Sequence, residues 1–224
     1  MFGKLRSYLL YNANQNHKDS VSYRLRKKRF EFFSEFCSKL KKPVNILDLG
    51  GSDYHWRNSR FRDNKNFHIT IVNTEQQNIK DLRNLSFIKK DVKDLNYFDD
   101  KEFDLVYSNS LFEHINNYDE QKKLAGEIRR IGRHYFIQTP NYYFPVEPHF
   151  LIPFFQFLPV TWKTMLIKKY DLGWYKKHKD EDKARELADS VRLLKKSELK
   201  EIFPGGKIYT EKYFLLNKSF IIYS

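Results

Sequence analysis

Between residues 44 and 140, short apolar runs alternate with more polar stretches, and this alternation constrains the fold more than any other property of the chain. Runs at Val44 to Leu49, Ile69 to Val72, Ser86 to Ile88, Phe103 to Tyr107 and His134 to Gln138 have the length and apolar character of strands. The stretches between them read as helical, most clearly Asp119 to Ile131. Strands joined through helices make right-handed crossovers, which build a parallel sheet covered on both faces. Near the end the pattern changes. Lys207 to Leu216 and Ser219 to Tyr223 are strand-like runs around Asn217-Lys218, and they predict a closing antiparallel hairpin on the sheet edge. The expected fold is α/β and Rossmann-like: a mostly parallel seven-stranded sheet with a C-terminal antiparallel hairpin and helices on both faces.

The 224 residues suit one domain with a decorated core. Residues 1–42 read as a helical arm, with Ser20 or Ser22 as its cap and Tyr23, Phe30, Phe33, Phe36, Cys37 and Leu40 recurring near helical spacing. Residues 43–140 are the core. Residues 141–195 read as an insertion, rich in prolines and aromatics at first and then helical from Trp162 to about Leu194. Residues 196–224 close the fold with a short helix, capped by Ser197 and stopped by Pro204-Gly205-Gly206, and with the hairpin.

Cys37 is the single cysteine, so no disulfide forms within the chain, and its place on the apolar side of a helix makes it core. The longest apolar run, Phe150 to Val160, is too short to span a bilayer and contains Pro153 and Pro159. With no signal peptide visible, a soluble cytoplasmic protein is expected. The formal charge of +13 favours acidic partners. The crowded cations from Arg24 to Arg29 could touch an anionic membrane surface or RNA; a solvated lysine-rich face is the plainer alternative.

In an open parallel sheet, ligands bind beyond the carboxyl ends of the strands. The first strand leads into Asp48-Leu49-Gly50-Gly51-Ser52-Asp53. The third glycine of a dinucleotide fingerprint is missing, and no Gly-Lys-Ser/Thr follows to cradle phosphate. A short glycine turn preceded by an acid suits a cationic cofactor without phosphates. Asn73 ends the second strand and can reach ribose hydroxyls; Asp91-Val92 follows the third, where Asp91 could accept from an adenine amino group; Ser108 ends the fourth. Asp48 could instead brace the turn, Asp91 could form one, and Asn73 could simply end its strand.

Taken together, these stretches resemble the class I methyltransferases, and among them the small type 11 kind. Ile46-Leu47-Asp48-Leu49-Gly50-Gly51 is similar to their first motif, Phe87-Ile88-Lys89-Lys90-Asp91-Val92 to the adenine motif, and Phe103-Asp104-Leu105-Val106 through Phe112-Glu113-His114-Ile115 to the fourth-strand motif and its turn. Ser52 and Tyr54 stand where many relatives carry further glycines, and Asn73 where most carry an acid, with Glu75 as a fallback. The resemblance implies S-adenosylmethionine as cofactor, held by Asp48, Gly50, Gly51, Asn73, Asp91, Val92 and Ser108, and no metal.

Methyl transfer from a sulfonium is an in-line displacement that asks the protein for alignment and, with a hydroxyl acceptor, for a base. Within the segment from Asn141 to Leu158, His149 is the candidate base and Glu147 its orienting partner; both could instead bond the loop's own backbone. Asn141, Tyr142 and Tyr143 are candidate substrate contacts, or filling. His114 is read as interior filling. The segment from Thr139-Pro140-Asn141 to Glu147-Pro148-His149 resembles one found in accessory enzymes of surface-polysaccharide or lipid pathways. That implies O-methylation of a small molecule, glycan or lipid-pathway intermediate. The competing expectations are an RNA-directed methyltransferase using the basic surface, and a non-catalytic binding protein on the same fold.

Overall fold

A computed structural model describes residues 2–14, 17–115 and 117–224; residues 1, 15 and 16 of the expected arm lie outside it. Five parallel strands, β1 (Val44–Leu49), β2 (Phe67–Asn73), β3 (Leu85–Lys89), β4 (Phe103–Asn109) and β5 (Gly132–Pro140), continue into an antiparallel pair, β6 (Lys207–Tyr213) and β7 (Leu216–Tyr223). The sheet order is β3-β2-β1-β4-β5-β7-β6. β1 and β4 are neighbours, so the chain leaves β1 toward one edge and β4 toward the other.

The crossovers carry less helix than the sequence pattern suggests. α4 (Tyr118–Ile131) joins β4 to β5 as expected, but the β1–β2 connection holds only α3 (Asp53–Arg57). The β2–β3 and β3–β4 connections are loops without helix. Asn and Asp side chains in them bond nearby backbone instead: Asp91 accepts from the Lys93 amide, and Asn84 donates to the carbonyls of Phe61 and Phe67.

Cover for that face comes from the arm. After α1 (Phe2–Ala13), α2 (Val21–Ser38) is capped by Ser20, whose hydroxyl accepts from the Tyr23 amide. Its Phe33 and Cys37, fully buried, pack with Trp56 and Phe61 against Ile46, Ile71, Leu105 and Tyr107 of the sheet. Burial pushes the Cys37 thiol up to about 12, as befits a core residue. α4 and α7 (Lys196–Ile202) cover the opposite face.

Three further expectations are corrected. The stretch from Trp162 to Leu194 is two helices, α5 (Val160–Lys169) and α6 (Glu181–Asp189), packed around Phe150, Phe155, Ile167 and Ala184. The break between them contains Gly173, whose φ of +52° continues no helix. α7 is capped at Lys195, whose amide donates to Glu198, and Ser197 lies inside the helix. The hairpin turns at Phe214-Leu215, while Asn217 and Lys218 belong to β7. Their carbonyls accept from the side chain and backbone amide of Asn141, which fastens β7 beside the end of β5.

Candidate active site

The crevice lies beyond the carboxyl ends of β1 and β4, where the strand order reverses. Gly50 turns the chain there with φ +75°, a conformation that penalises any β-carbon. A β-carbon on Gly50 would come 2.8 Å from Leu111 Cδ1. One on Gly51 would overlap the Asp48 carboxylate at 1.7 Å, so this acid fits against the turn only because Gly51 has no side chain.

Asp48 is 1% exposed. Its Oδ2 accepts from Trp56 Nε1 at 2.7 Å, and its Oδ1 has no hydrogen-bond partner among the described residues. Burial pushes the acid up to about 7, and the Trp56 bond opposes part of that shift. A cation-bearing ligand seated on the turn would satisfy this orphaned oxygen's charge, so the residues fit a sulfonium cofactor.

Asn73 donates to the Gly51 carbonyl at 2.8 Å and accepts from the Glu75 amide at 3.0 Å, tying the glycine turn to the end of β2. Asp91 is exposed on the loop after β3, beside the buried Val92. Ser108 is fully buried, and its hydroxyl donates to the Leu49 carbonyl at 3.2 Å, which braces β4 against β1. The crevice end of β4 is instead Ser110 and Leu111, and Leu111 lies over Gly50.

A cavity of about 570 Å³ opens at the same end of the sheet, with Ser110, which follows β4, and Pro140, at the end of β5, in its wall. It is lined by the arm, the end of β5, the insertion and the hairpin, including Arg29, Glu113, Phe144, Val146 and His149. Glu147, almost fully buried, accepts from the amides of His149 and Phe150 through Oε2, and its Oε1 lies 2.7 Å from His149 Nδ1. The loop's own backbone and the histidine thus share one carboxylate, which combines the two roles that the sequence offered as alternatives. With Nδ1 held by Glu147, Nε2 is the ring atom left without a protein partner among the described residues.

Burial lowers the His149 pKa, but the Glu147 hydrogen bond and the charges of Glu147 and Glu113 outweigh it, and the net direction is upward. His114 packs edge-on against His149 with ring centroids 4.8 Å apart, and burial, aided by the His149 charge, depresses it to about 4. Glu113 is fully buried; burial raises its pKa, and one of its oxygens has no partner. One ligand atom from each of Glu113, His114 and His149 lies within 4.8 Å of the others, so these three are the described residues close enough to share a metal ion.

The three other acceptor residues are arranged differently from expectation. Asn141 reaches the cavity wall, but its side chain is committed to the Asn217 carbonyl and the Tyr143 amide. The turn that bonds the Phe144 amide to the Asn141 carbonyl points Phe144 into the cavity instead of Tyr142 and Tyr143. Tyr142 lines a smaller cavity of about 260 Å³ beside Phe157, and Tyr143 is 61% exposed.

Arg29, grouped by sequence with the free cations of the arm, is buried. It forms a two-pronged ion pair with Glu211 at 2.6 and 3.0 Å and donates to Asn109 and Gln138. Neither its burial nor its partner 182 residues away has a signal in the local sequence.

Residues 61–134 match the family model described as a methyltransferase domain. Two uncharacterized proteins of Mycobacterium tuberculosis are 38% identical over 69 residues, 31% of this chain and 24% of each relative; the match thus spans about a quarter of the relatives' length. A SAM-dependent methyltransferase of Methanosarcina mazei has a TM-score of 0.54 at 12% identity, covering 84% of this chain and 95% of its own. The 1,6-didemethyltoxoflavin N1-methyltransferase of Burkholderia thailandensis, solved with S-adenosylhomocysteine, has a TM-score of 0.53 at 12% identity, over 89% and 76%. The N-methyltransferase NodS of Bradyrhizobium japonicum has a TM-score of 0.54 at 7% identity, over 92% and 97%. At such identities the structures report the fold.

Sheet order and switch-point crevice are those of the Rossmann-like methyltransferase fold, and residues 61–134 match the methyltransferase-domain model. The matched residues 61–134 overlap the adenine and fourth-strand motifs that carry the resemblance to the type 11 enzymes.

Proposed function

We propose that this protein methylates a hydroxyl of a small-molecule, saccharide or lipid-linked acceptor held in the cavity of about 570 Å³. One observation carries the reading: His149 lines that cavity with Nδ1 fixed by Glu147 and Nε2 unpartnered among the described residues. That is the arrangement of a positioned proton acceptor.

When bound, S-adenosylmethionine supplies an already activated methyl group on a sulfonium. Gly50 and Gly51 let the backbone approach it, Asp48 offers a negative charge under the turn, and Asp91 stands at the exit of β3 for its adenosine. Asn73 contributes by holding the turn. The cavity walls, with Phe144 and Val146, exclude water and align the acceptor oxygen. The hydroxyl proton passes to His149 Nε2, and Glu147 stabilises the imidazolium. Because both carboxylates raise the His149 pKa, the free base, and with it turnover, grows as pH rises through that elevated value.

The test is transfer of labelled methyl from S-adenosylmethionine into fractionated small-molecule, saccharide and lipid extracts. Product carrying a new methyl ether supports the reading. Label found only on nitrogen or carbon, or His149→Ala turning over like the wild type with the same pH profile, contradicts it.

A further inference from the structure

The β6–β7 turn carries the most exposed large apolar side chains among the described residues. Phe214 is 83% exposed, Leu215 94% and Leu216 50%. Consecutive apolar residues at such exposure are unfavourable in water and mark contact sites. They follow directly in sequence on Tyr213, a residue of the cavity wall. Tyr213, at the base of the turn, lines the cavity, and so do Tyr8 and Trp174, which are 59% and 52% exposed.

The same face is cationic. Arg24 is close enough to act on the Tyr213 hydroxyl, and Lys212 is exposed beside the turn. Arg26, itself exposed, and the half-buried Lys218 line the cavity. Neither side chain has a hydrogen-bond or ion-pair partner among the described residues, whereas Arg29 is fully paired. Burial, with the Arg29 and Arg26 charges, holds Lys218 down to about 8 although Glu211 opposes this. An exposed apolar turn next to a cavity lined by Tyr8, Trp174, Arg26 and Lys218, on a chain of charge +13, complements an anionic bilayer. Leu215, the most exposed of these side chains, has no plane on which a base could stack.

We infer that this face docks on an anionic lipid bilayer, with Phe214, Leu215 and Leu216 entering the acyl boundary and Tyr8 and Trp174 at headgroup level. The acceptor then comes from the membrane as an amphiphile, its anionic group meeting Arg26 and Lys218 inside the cavity. This surface shares Arg24 and Arg26 with the basic helix start considered from sequence and adds the apolar hairpin turn. Its acceptor class rests on the transferase reading above; the docking itself does not.

Flotation of the full chain with vesicles of phosphatidylcholine plus phosphatidylglycerol tests it, with phosphatidylcholine alone as control. Wild type should float with the anionic vesicles and dissociate at high salt. Phe214→Ser/Leu215→Ser should lose roughly tenfold or more of that association, with an unchanged circular dichroism spectrum and unchanged calorimetric binding of S-adenosylmethionine. Equal flotation of variant and wild type overturns the proposal, and so does absence of flotation. Two other outcomes also overturn it: a wild-type dimer on size exclusion that the variant dissolves without any flotation, and salt-dependent binding to polyuridylate in the absence of flotation. Flotation that succeeds while no label enters extracted lipid keeps the docking surface and removes the lipid acceptor. Cofactor binding lost in the wild type removes the transferase reading and leaves the flotation result standing.

Discussion

Asp48→Asn is expected to stabilise the protein at pH 8 and to do so much less at pH 5. Asp48 is 1% exposed, with one oxygen bonded to Trp56 and the other without a hydrogen-bond partner among the described residues. Burial is the main reason that its pKa is pushed from 3.8 to about 7. A folded-state pKa above the unfolded one means that the native chain binds this proton more tightly. The resulting stability is complete below about pH 4 and is lost as pH rises through about 7. At about 1.4 kcal/mol per unit, the loss approaches about 4 kcal/mol at pH 8 and is under about 2 kcal/mol at pH 5. Asparagine keeps an acceptor for Trp56 and carries no charge to desolvate. Its melting temperature should therefore exceed the wild type's by up to roughly 10 °C at pH 8, with the gap more than halved at pH 5. Thermal melts followed by circular dichroism between pH 5 and 8 provide the measurement. A wild-type melting temperature that is flat over that range would refute the reasoning, as would an Asp48→Asn variant that melts below wild type at pH 8. The stability gained should carry a functional cost. Cofactor affinity of the wild type should rise with pH as Asp48 ionises, and the variant should lose that slope.

Phe33→Ala removes a fully buried ring that contacts Trp56, Phe61, Tyr107 and Phe136, and should cost about 3–5 kcal/mol in a denaturant titration; a loss under about 1 kcal/mol would mean that α2 does not cover the sheet. Gly50→Val should abolish cofactor binding in calorimetry and also lower stability by about 1–3 kcal/mol, because it forces a β-branched residue to φ +75° against Leu111; wild-type affinity in this variant would place the cofactor elsewhere. His149→Ala should lower turnover on a hydroxyl acceptor by roughly a hundredfold to ten-thousandfold with cofactor affinity nearly unchanged, and Glu147→Gln should do less; a parallel loss of cofactor binding would make the histidine structural.

The parallel core was legible because strands buried on both faces are written as nearly continuous apolar runs, and Val44–Leu49 and Phe103–Asn109 carry that pattern without ambiguity. Ser20 was legible for a local reason, since capping is a contact three residues long. What failed was pairing at a distance. Arg29 looks like its neighbours in a run of cations until Glu211 arrives from β6 to neutralise it. Nothing local in the sequence places the Asn73 amide on the Gly51 carbonyl 22 residues away. Phe144 and Tyr142 differ little in sequence terms, and a turn decides which of them enters the cavity. The hairpin was misplaced for the opposite reason. Asn217-Lys218 has ordinary turn chemistry, whereas Phe214-Leu215 breaks the polar rule for turns, and such breaks concentrate at sites that serve function.

Calorimetric titration of the purified protein with S-adenosylmethionine, and in parallel with S-adenosylhomocysteine, tests most directly that the Gly50-Gly51 turn holds this cofactor. One site per chain, with a dissociation constant roughly between low micromolar and sub-millimolar, is the expected result. No heat and no thermal shift with either ligand at millimolar concentration would contradict it.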